Sequence, residues 1–592
     1  MITFQKADVE KFFSTKSITT FSINHDETQC VFSTNITGKY NLWAMDLPQT
    51  YPYQVTFQDQ STQHIIHDKE GQFIIVGMDC DGDENTQLYA IPLQGGELVP
   101  ISVEEGEKHS SPMLSADGKK QYFTSTKNNP TYLNLYCYDF QSEEISLLHE
   151  GQDAPMGVLS KSPDDSSFVL LQSSSNSEAQ LTVLKDGELH PFTNTSGAVC
   201  SVVYINKDEV YYTTTEGSDF GYLAKLDITS MQSSKILSLE KEDFRSLAFD
   251  KKNKRIYIIS GKGVIDHLYC YDLHTQKHTH IPLPIACVDS IEVAESGNLY
   301  VLGRSAHKPH NLYKKKVNSE TWTPLSNHNV PGVSLEQMVD PDVISYPSVD
   351  GLQIEALLYK PKPEVDNGHV ILWPHGGPQS CERKSFRAIF QFITYAGYTI
   401  FAPNFRGSSH YGLSFMRMVE RNWGAEPRLD HIAGLEYLFK QGLADRDKVF
   451  LMGRSYGGYM SLLLHGRHAD YFKAVVGICG PSNLFSFIDS VPEHWKPLMD
   501  NWVGNPEKDK AMLTAFSPHT YVDGMTKPML IIQGAQDPRV VKAESDQIVQ
   551  LLRDKGREVR YIIFEDEGHD FNKKENEMTL NREILKFFNY YL

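Results

Sequence analysis

The 592-residue chain lacks any uninterrupted apolar run of about 18 residues, the length that crosses a bilayer as a helix. Its opening stretch, MITFQKADVEKFF, has no apolar segment leading to a small-residue cleavage site. No membrane partner and no export are expected, and the chain reads as a cytoplasmic protein. Positive charge is also short, with 56 Lys and Arg against 75 Asp and Glu and a formal net charge of −19. Without clustered cations to meet phosphates, nucleic acid is excluded as a partner. Eight cysteines, at positions 30, 80, 137, 200, 270, 287, 381 and 479, stand singly with no CxxC pair. That pattern fits reduced, packed thiols rather than disulfides or a zinc site, so no metal and no cofactor are expected.

What is present falls into two halves. The length exceeds what one hydrophobic core supports, so at least two domains are expected. From about residue 17 to 330 the chain alternates short strands with turn residues, after a short helical stretch placed at 5–14. A four-strand unit recurs, as in TTFSINHDETQCVFSTN, HIIHDKEGQFIIVGMD, SPMLSADGKKQYFTST and SLAFDKKNKRIYIISG. Its starts fall near residues 17, 61, 109, 154, 200, 242 and 287, a period of about 45 that matches a propeller blade. Residues 1–335 are therefore read as a seven-bladed β-propeller. Within it, DCDGDENTQLY (79–89) looks superficially like a calcium loop. The pattern fails, because Gly82 is fourth rather than sixth and the twelfth residue is Ala90 rather than Glu.

From residue 336 onward, apolar runs ending in turn residues alternate with segments of helical period: HVILWPHGGP, YTIFAPNFRG, KVFLMGRS, KAVVGICGP, KPMLIIQGAQD and EVRYIIFEDEGHD. Such strands are apolar on both faces, the mark of a parallel sheet covered by helices. Catalytic groups in that architecture sit just beyond the carboxyl ends of strands. Residues 336–592 are read as an α/β-hydrolase catalytic domain.

The stretch LMGRSYGGY (451–459) supplies strand, sharp turn and helix around Ser455 in a G-x-S-x-G pattern. A serine hydroxyl needs a base, a carboxylate to orient the base, and donors for the oxyanion. Asp537 follows MLIIQGAQ and His569 follows YIIFEDEG, giving the order Ser455, Asp537, His569 on three strand ends. Asp566 and Asp570 lie too close to His569 to occupy a different strand end, and His519 has no strand before it. The Tyr456 N–H, at a helix start, is the first expected oxyanion donor. A second is expected from the HGGP segment, His375 to Pro378.

GRSYGGY, HGGP, NFRGSSHYG (404–412), QGAQDPRV (533–540) and EGHDF (567–571), set behind seven β repeats, resemble the prolyl oligopeptidase family of serine peptidases. Within it, the HGGP form is most similar to the acylaminoacyl-peptidase branch. The resemblance implies Ser455, Asp537 and His569 as triad, with Tyr456 and Gly377, beside Gly376, at the oxyanion hole. It further implies that Tyr411 assists there, and that Arg539 pairs with a propeller glutamate, for which Glu84 is the candidate. The dipeptidyl-peptidase branch reads a free amino terminus with adjacent glutamates in a D-W-x-x-E-E-like segment; Glu104-Glu105 and Glu143-Glu144 lack that setting.

These readings predict hydrolysis of short peptides through an acyl-enzyme, with folded proteins kept out by the propeller. Segment 481–495, PSNLFSFIDSVPEHW, is read either as a lining for the residue before the cleaved bond or as plain core. A carboxylesterase of the same fold is the rival enzyme reading, and a catalytically silent propeller scaffold the rival of another class. A homo-oligomer is compatible with all of them.

Overall fold

The computed structural model describes residues 7–194 and 197–592, apart from the Cys200 side chain. Residues 5 and 6 of the expected first helix therefore lie outside the described residues. The first half forms seven four-stranded antiparallel sheets, at residues 18–54, 62–102, 109–150, 156–191, 199–237, 243–281 and 287–324, here blades 1 to 7. Every repeat start expected from the sequence falls within two residues of a blade's first strand. The second strand of a blade is covered on both faces by its neighbours, so QCVFST in blade 1 is buried throughout. The outermost strand faces solvent, and EISLLHE in blade 3 is largely exposed. Turns inside blades use local side-chain chemistry. In blade 3 Ser115 Oγ donates to Asp117 Oδ1 at 2.7 Å, the Lys119 N–H donates to the same oxygen at 3.1 Å, and Gly118 takes φ 72°.

Strands within each blade follow chain order, so no strand is shared between blades 1 and 7. Side chains close the ring instead. Ile18, Phe21 and Phe32 pack with Tyr300, Leu302 and Leu312. Glu27 accepts from Asn298 at 2.9 Å, from Tyr300 at 2.7 Å and from Lys314 at 3.0 Å. Burial opposes its charge, yet these donors hold its carboxyl down at about 2.

The second half is built on one eight-stranded sheet with strands β1 (Asp342–Pro347), β2 (Gln353–Tyr359), β3 (Val370–Leu372), β4 (Thr399–Asn404), β5 (Val449–Arg454), β6 (Val475–Ile478), β7 (Met529–Gly534) and β8 (Val559–Phe564). Their order is β1-β2-β4-β3-β5-β6-β7-β8, parallel from β4 onward. Helices cover both faces, forming two buried clusters. Those used below are α1 (Val9–Phe13), α2 (Ala388–Tyr395), α3 (Tyr456–His468) and α4 (Lys574–Tyr590). No helix of the described residues is long and apolar enough to cross a membrane.

Helix α1 precedes the propeller in sequence but packs against the hydrolase domain. Phe12, fully buried, lies 5.7 Å from the Phe392 ring and 5.2 Å from Tyr395, and Glu10 pairs with Arg582 of α4 at 3.4 Å. From α1 on the hydrolase the chain runs round seven blades and returns, so the two domains are tied at both ends of the propeller. Blade-to-hydrolase contacts add to this: Asp81–Lys573 at 2.9 Å, Asp266–Arg383 at 2.7 Å, Glu178–Arg417 at 3.3 Å, and the Leu413 N–H on the Asp219 carbonyl at 2.6 Å. Phe12→Ala should cost about 3–5 kcal/mol by leaving a cavity against α2. A fall in the urea midpoint of the hydrolase domain is the expected result, and an unchanged midpoint would deny α1 a structural part.

Candidate active site

Strand β5 ends at Arg454, and the chain turns through Ser455 with φ 60° and ψ −125° before α3 begins at Tyr456. A non-glycine residue at such a φ is strained by about 1–3 kcal/mol, and the surroundings must over-determine it. The Ser455 N–H donates to the Ile478 carbonyl at 2.9 Å, and its own carbonyl accepts from Tyr459 N–H at 2.9 Å. The flanking glycines are required by space. A Cβ on Gly453 would stand 2.2 Å from the Gly457 oxygen, and one on Gly457 would stand 2.1 Å from the Pro374 oxygen.

His569 Nε2 lies 2.9 Å from Ser455 Oγ, and His569 Nδ1 lies 2.6 Å from Asp537 Oδ2. Asp537 and His569 are both buried. The other Asp537 oxygen accepts from the N–H groups of Arg539 at 2.9 Å and Val540 at 3.0 Å, which fixes the carboxylate in the turn after β7. With a proton on Nδ1 facing the carboxylate, Nε2 is free to accept the serine hydroxyl. The sheet brings together three residues spread over more than a hundred positions because β5, β7 and β8 all end on one edge.

Two competitors are occupied elsewhere, Asp566 pairing with Lys573 at 2.8 Å and Asp570 with Arg454 at 2.5 Å; His519 lies in the segment before β7, where its main-chain N–H donates to the Ser482 carbonyl at 3.0 Å. Cys479, Asp537 and His569 gather donor atoms within 4.8 Å of one another. Burial pushes the Cys479 thiol well above the ordinary range, which keeps it protonated beside the carboxylate.

Tyr456 opens α3, so its N–H has no partner within the helix. Its ring is buried edge-on against Trp423 at 5.1 Å, and its hydroxyl donates to the Trp423 carbonyl at 2.6 Å, which sets the helix start. Gly376 sits over Ser455, since a Cβ there would be 3.4 Å from Ser455 Cβ. Gly377, at φ 128°, makes the next bend. His375 stiffens this loop: Nε2 lies 2.8 Å from Ser408 Oγ, Nδ1 lies 2.8 Å from the Gly376 oxygen, and the ring stacks on Phe405 at 4.3 Å. Burial lowers it to about 3, so it is neutral.

Tyr411 is placed differently from the expectation. Its hydroxyl donates to Glu355 Oε1 at 2.8 Å and accepts from Asn404 Nδ2 at 2.9 Å, at the ends of β2 and β4. Strand β4 is two positions from β5 in the sheet, about 10 Å at ordinary strand spacing, so the proton is committed away from Ser455. Arg539 and Glu84 do meet, with Nε to Oε1 at 2.6 Å. In segment 481–495, Leu484, Phe487 and Ile488 are buried in the core around Trp423 and Trp502, while Phe485 and Trp495 are partly exposed.

Two contacts went unread in the sequence. Arg454, the residue before the serine, donates to the His569 carbonyl, pairs with Asp570 and covers the Phe571 ring at 5.4 Å. The available signal was a lone charge ending an apolar strand. From the other side, the blade 2 loop meets the histidine loop backbone to backbone: a Cβ on Gly568 would lie 2.2 Å from the Gly82 oxygen. His569 is therefore held between Arg454 below and the propeller above.

A propeller seated on an α/β-hydrolase sheet with Ser, His and Asp in contact at its edge defines the class of propeller-capped serine hydrolases. The family model described as the prolyl oligopeptidase family, one of serine peptidases, matches residues 384–592. The chain is 26% identical over 593 residues to dipeptidyl aminopeptidase BIII of Pseudoxanthomonas mexicana, covering 92% of this chain and 83% of that one. The acylamino-acid-releasing enzyme of Arabidopsis thaliana is 25% identical over 249 residues, 40% of this chain and 32% of that one. A solved puromycin-hydrolyzing peptidase of Mycobacterium tuberculosis shares the fold with a TM-score of 0.88 at 16% identity, over 99% of this chain and 96% of that one.

Arg454→Met keeps an apolar stem over Phe571 but removes the bond to the histidine loop. A misplaced base of this kind lowers kcat by about 10- to 100-fold with little change in KM. Steady-state kinetics on a short peptide checks this, and an unaltered kcat would show that the loop needs no such support.

Proposed function

We propose that Ser455 is the nucleophile, His569 the general base and acid, and Asp537 its orienting partner, in a peptidase that cleaves short peptides. The observation that carries this reading is the unbroken chain of contacts from Ser455 Oγ through His569 to Asp537, at 2.9 and 2.6 Å. His569 takes the Ser455 proton as Oγ adds to the scissile carbonyl. The Tyr456 N–H and an N–H of the Gly376-Gly377 loop receive the developing oxyanion, in a geometry prepared by the rigid His375 and Tyr456 side chains. His569 then hands its proton to the leaving amine, and water repeats the sequence on the acyl-enzyme.

Residues 1–335 supply the filter and residues 336–592 the chemistry, apart from α1, which serves the hydrolase from the other end of the chain. The blade 2 loop lies against the histidine loop, so a substrate must pass through or beside the propeller to reach Ser455. A chain already folded cannot do so. The seven described cysteines are free, which suits a reducing cytoplasm.

Ser455→Ala should lower peptide turnover by at least about 10⁴-fold while leaving the thermal midpoint unchanged. Full activity in that variant would remove Ser455 from the mechanism. In the unmodified enzyme an unstructured decapeptide should be cut and native albumin spared. Equal rates for the two, followed by mass spectrometry, would end the filtering role of the propeller.

A further inference from the structure

The loop that carries Gly376 and Gly377 follows β3 and is exposed at Gly377, so it needs anchors to keep one shape. One anchor lies within the hydrolase, where the Ser380 carbonyl accepts the Ser409 N–H at 2.8 Å. Another runs through Gln379. Its side-chain Nε2 donates to Glu420 Oε1 at 2.9 Å and to the Met416 carbonyl at 3.4 Å, while its Oε1 is buried with no partner among the described residues. A buried amide with its oxygen unpaired is costly, and the bond that holds it in place is the charge-assisted one to the Glu420 carboxylate.

The same carboxylate oxygen reaches the propeller, because Ser177 Oγ donates to Glu420 Oε1 at 2.5 Å. Ser177 is fully buried at the tip of the blade 4 hairpin formed by Ser167–Ser175 and Glu178–Lys185. Strand pairing extends to that tip, with Ser175 opposite Glu178. Arg417, three residues before Glu420, closes the other side. Its Nε donates to Ser177 Oγ at 3.3 Å, and its Nη2 donates to the Ser177 carbonyl at 3.4 Å and to Glu178 Oε1 at 3.3 Å. With its one hydroxyl hydrogen given to Glu420 and a guanidinium N–H received, Ser177 fixes where Oε1 stands. Glu420 Oε1 is thus shared by a propeller hairpin and by the residue two places after Gly377.

We propose that Glu420 is a positioning residue for the oxyanion hole: through Gln379 it holds the Gly376-Gly377 backbone in place, and Ser177 of blade 4 holds Glu420. Blade 4 then takes part in stabilising the oxyanion without touching the substrate. Donors stabilise a developing charge in proportion to how firmly they are aimed before it forms, so a loop released from Gln379 keeps its N–H groups but loses their aim. The unreacted carbonyl asks less of those donors than the tetrahedral oxyanion does, and the loss therefore falls on the transition state. This assignment rests on the proposed catalytic roles and extends them to the propeller.

The test sets Glu420→Ala and Ser177→Ala beside the unmodified enzyme, with a short peptide anilide as substrate and the matching peptide boronate, which becomes tetrahedral and anionic on Ser455, as probe. In Glu420→Ala kcat should fall about 10- to 100-fold with KM little changed, and the boronate inhibition constant should rise by the same factor. Affinity for the unreacted peptide, measured calorimetrically, should be equal in Ser455→Ala and Ser455→Ala/Glu420→Ala. Ser177→Ala, which changes only the propeller, should lower kcat in the same way but less. Ser177→Ala/Glu420→Ala should be no slower than Glu420→Ala, because both act through one oxygen. An unchanged kcat in Glu420→Ala would overturn the proposal, as would multiplying effects of the two substitutions or a parallel loss of peptide and boronate affinity, the mark of a general structural defect. If Glu420→Ala does not fold, Ser177→Ala decides alone, and unaltered kcat and boronate affinity there reject the proposal. An active Ser455→Ala would reject the catalytic roles and this one with them, whereas an inactive Ser455→Ala beside an unaffected Glu420→Ala rejects the positioning role by itself.

Discussion

At Ser455 a side-chain-bearing residue is forced to φ 60° between an apolar strand and a helix start. The proposed chemistry hangs on that turn, because it sets Ser455 Oγ 2.9 Å from His569 Nε2 and starts α3 at the next residue. The strain is held by close backbone packing: Gly453 against Gly457, Gly457 against Pro374, and the Ser455 N–H on the Ile478 carbonyl. A larger residue at either glycine would push β3, β5 or α3 apart, so the sheet and the turn specify each other. The buried Tyr456, locked to Trp423 and stacked on Phe405, completes the base of the turn with aromatic packing.

The histidine loop is less well supplied by its own domain. It follows β8 and is fixed from below by Arg454, reaching from the strand that also presents Ser455. From above it meets Gly82 of blade 2, with the Asp81–Lys573 and Glu84–Arg539 pairs on either side. The ion pairs are partly exposed and contribute little stability individually. Their value is geometric, because they hold blade 2 against the loop that carries the His569 imidazole. The ring that carries this blade is closed by side chains between blades 1 and 7, Glu27 foremost, rather than by a shared strand.

Local grammar made much of this legible. The seven repeats declared themselves through turns such as SADGK, whose Asp and Gly have jobs within four residues, and the two-sided apolar strands marked the second sheet. The meeting of Ser455, His569 and Asp537 was readable because hydrolase chemistry constrains both residue type and order along the chain. Tyr411 was not readable in the same way. Its segment looked apt, but whether a tyrosine reaches an oxyanion depends on which strand lies beside which, and β4 is separated from β5 by β3. Helix α1 was legible as a helix, whereas its docking partner, nearly 400 residues away in Phe392, was set by the closed path of the whole chain.

The sequence by itself determined the strands, the blade period, and the serine, aspartate and histidine in serviceable order, since periodicity, turn chemistry and motif spacing are local properties. Tertiary structure alone decided which charges find partners. Arg454 under His569 follows from β5 and β8 ending on one edge of the sheet, and Glu84 on Arg539 from the two domains meeting face to face. Charge pairing falls off within a few ångströms, and only the fold brings side chains from distant segments that close.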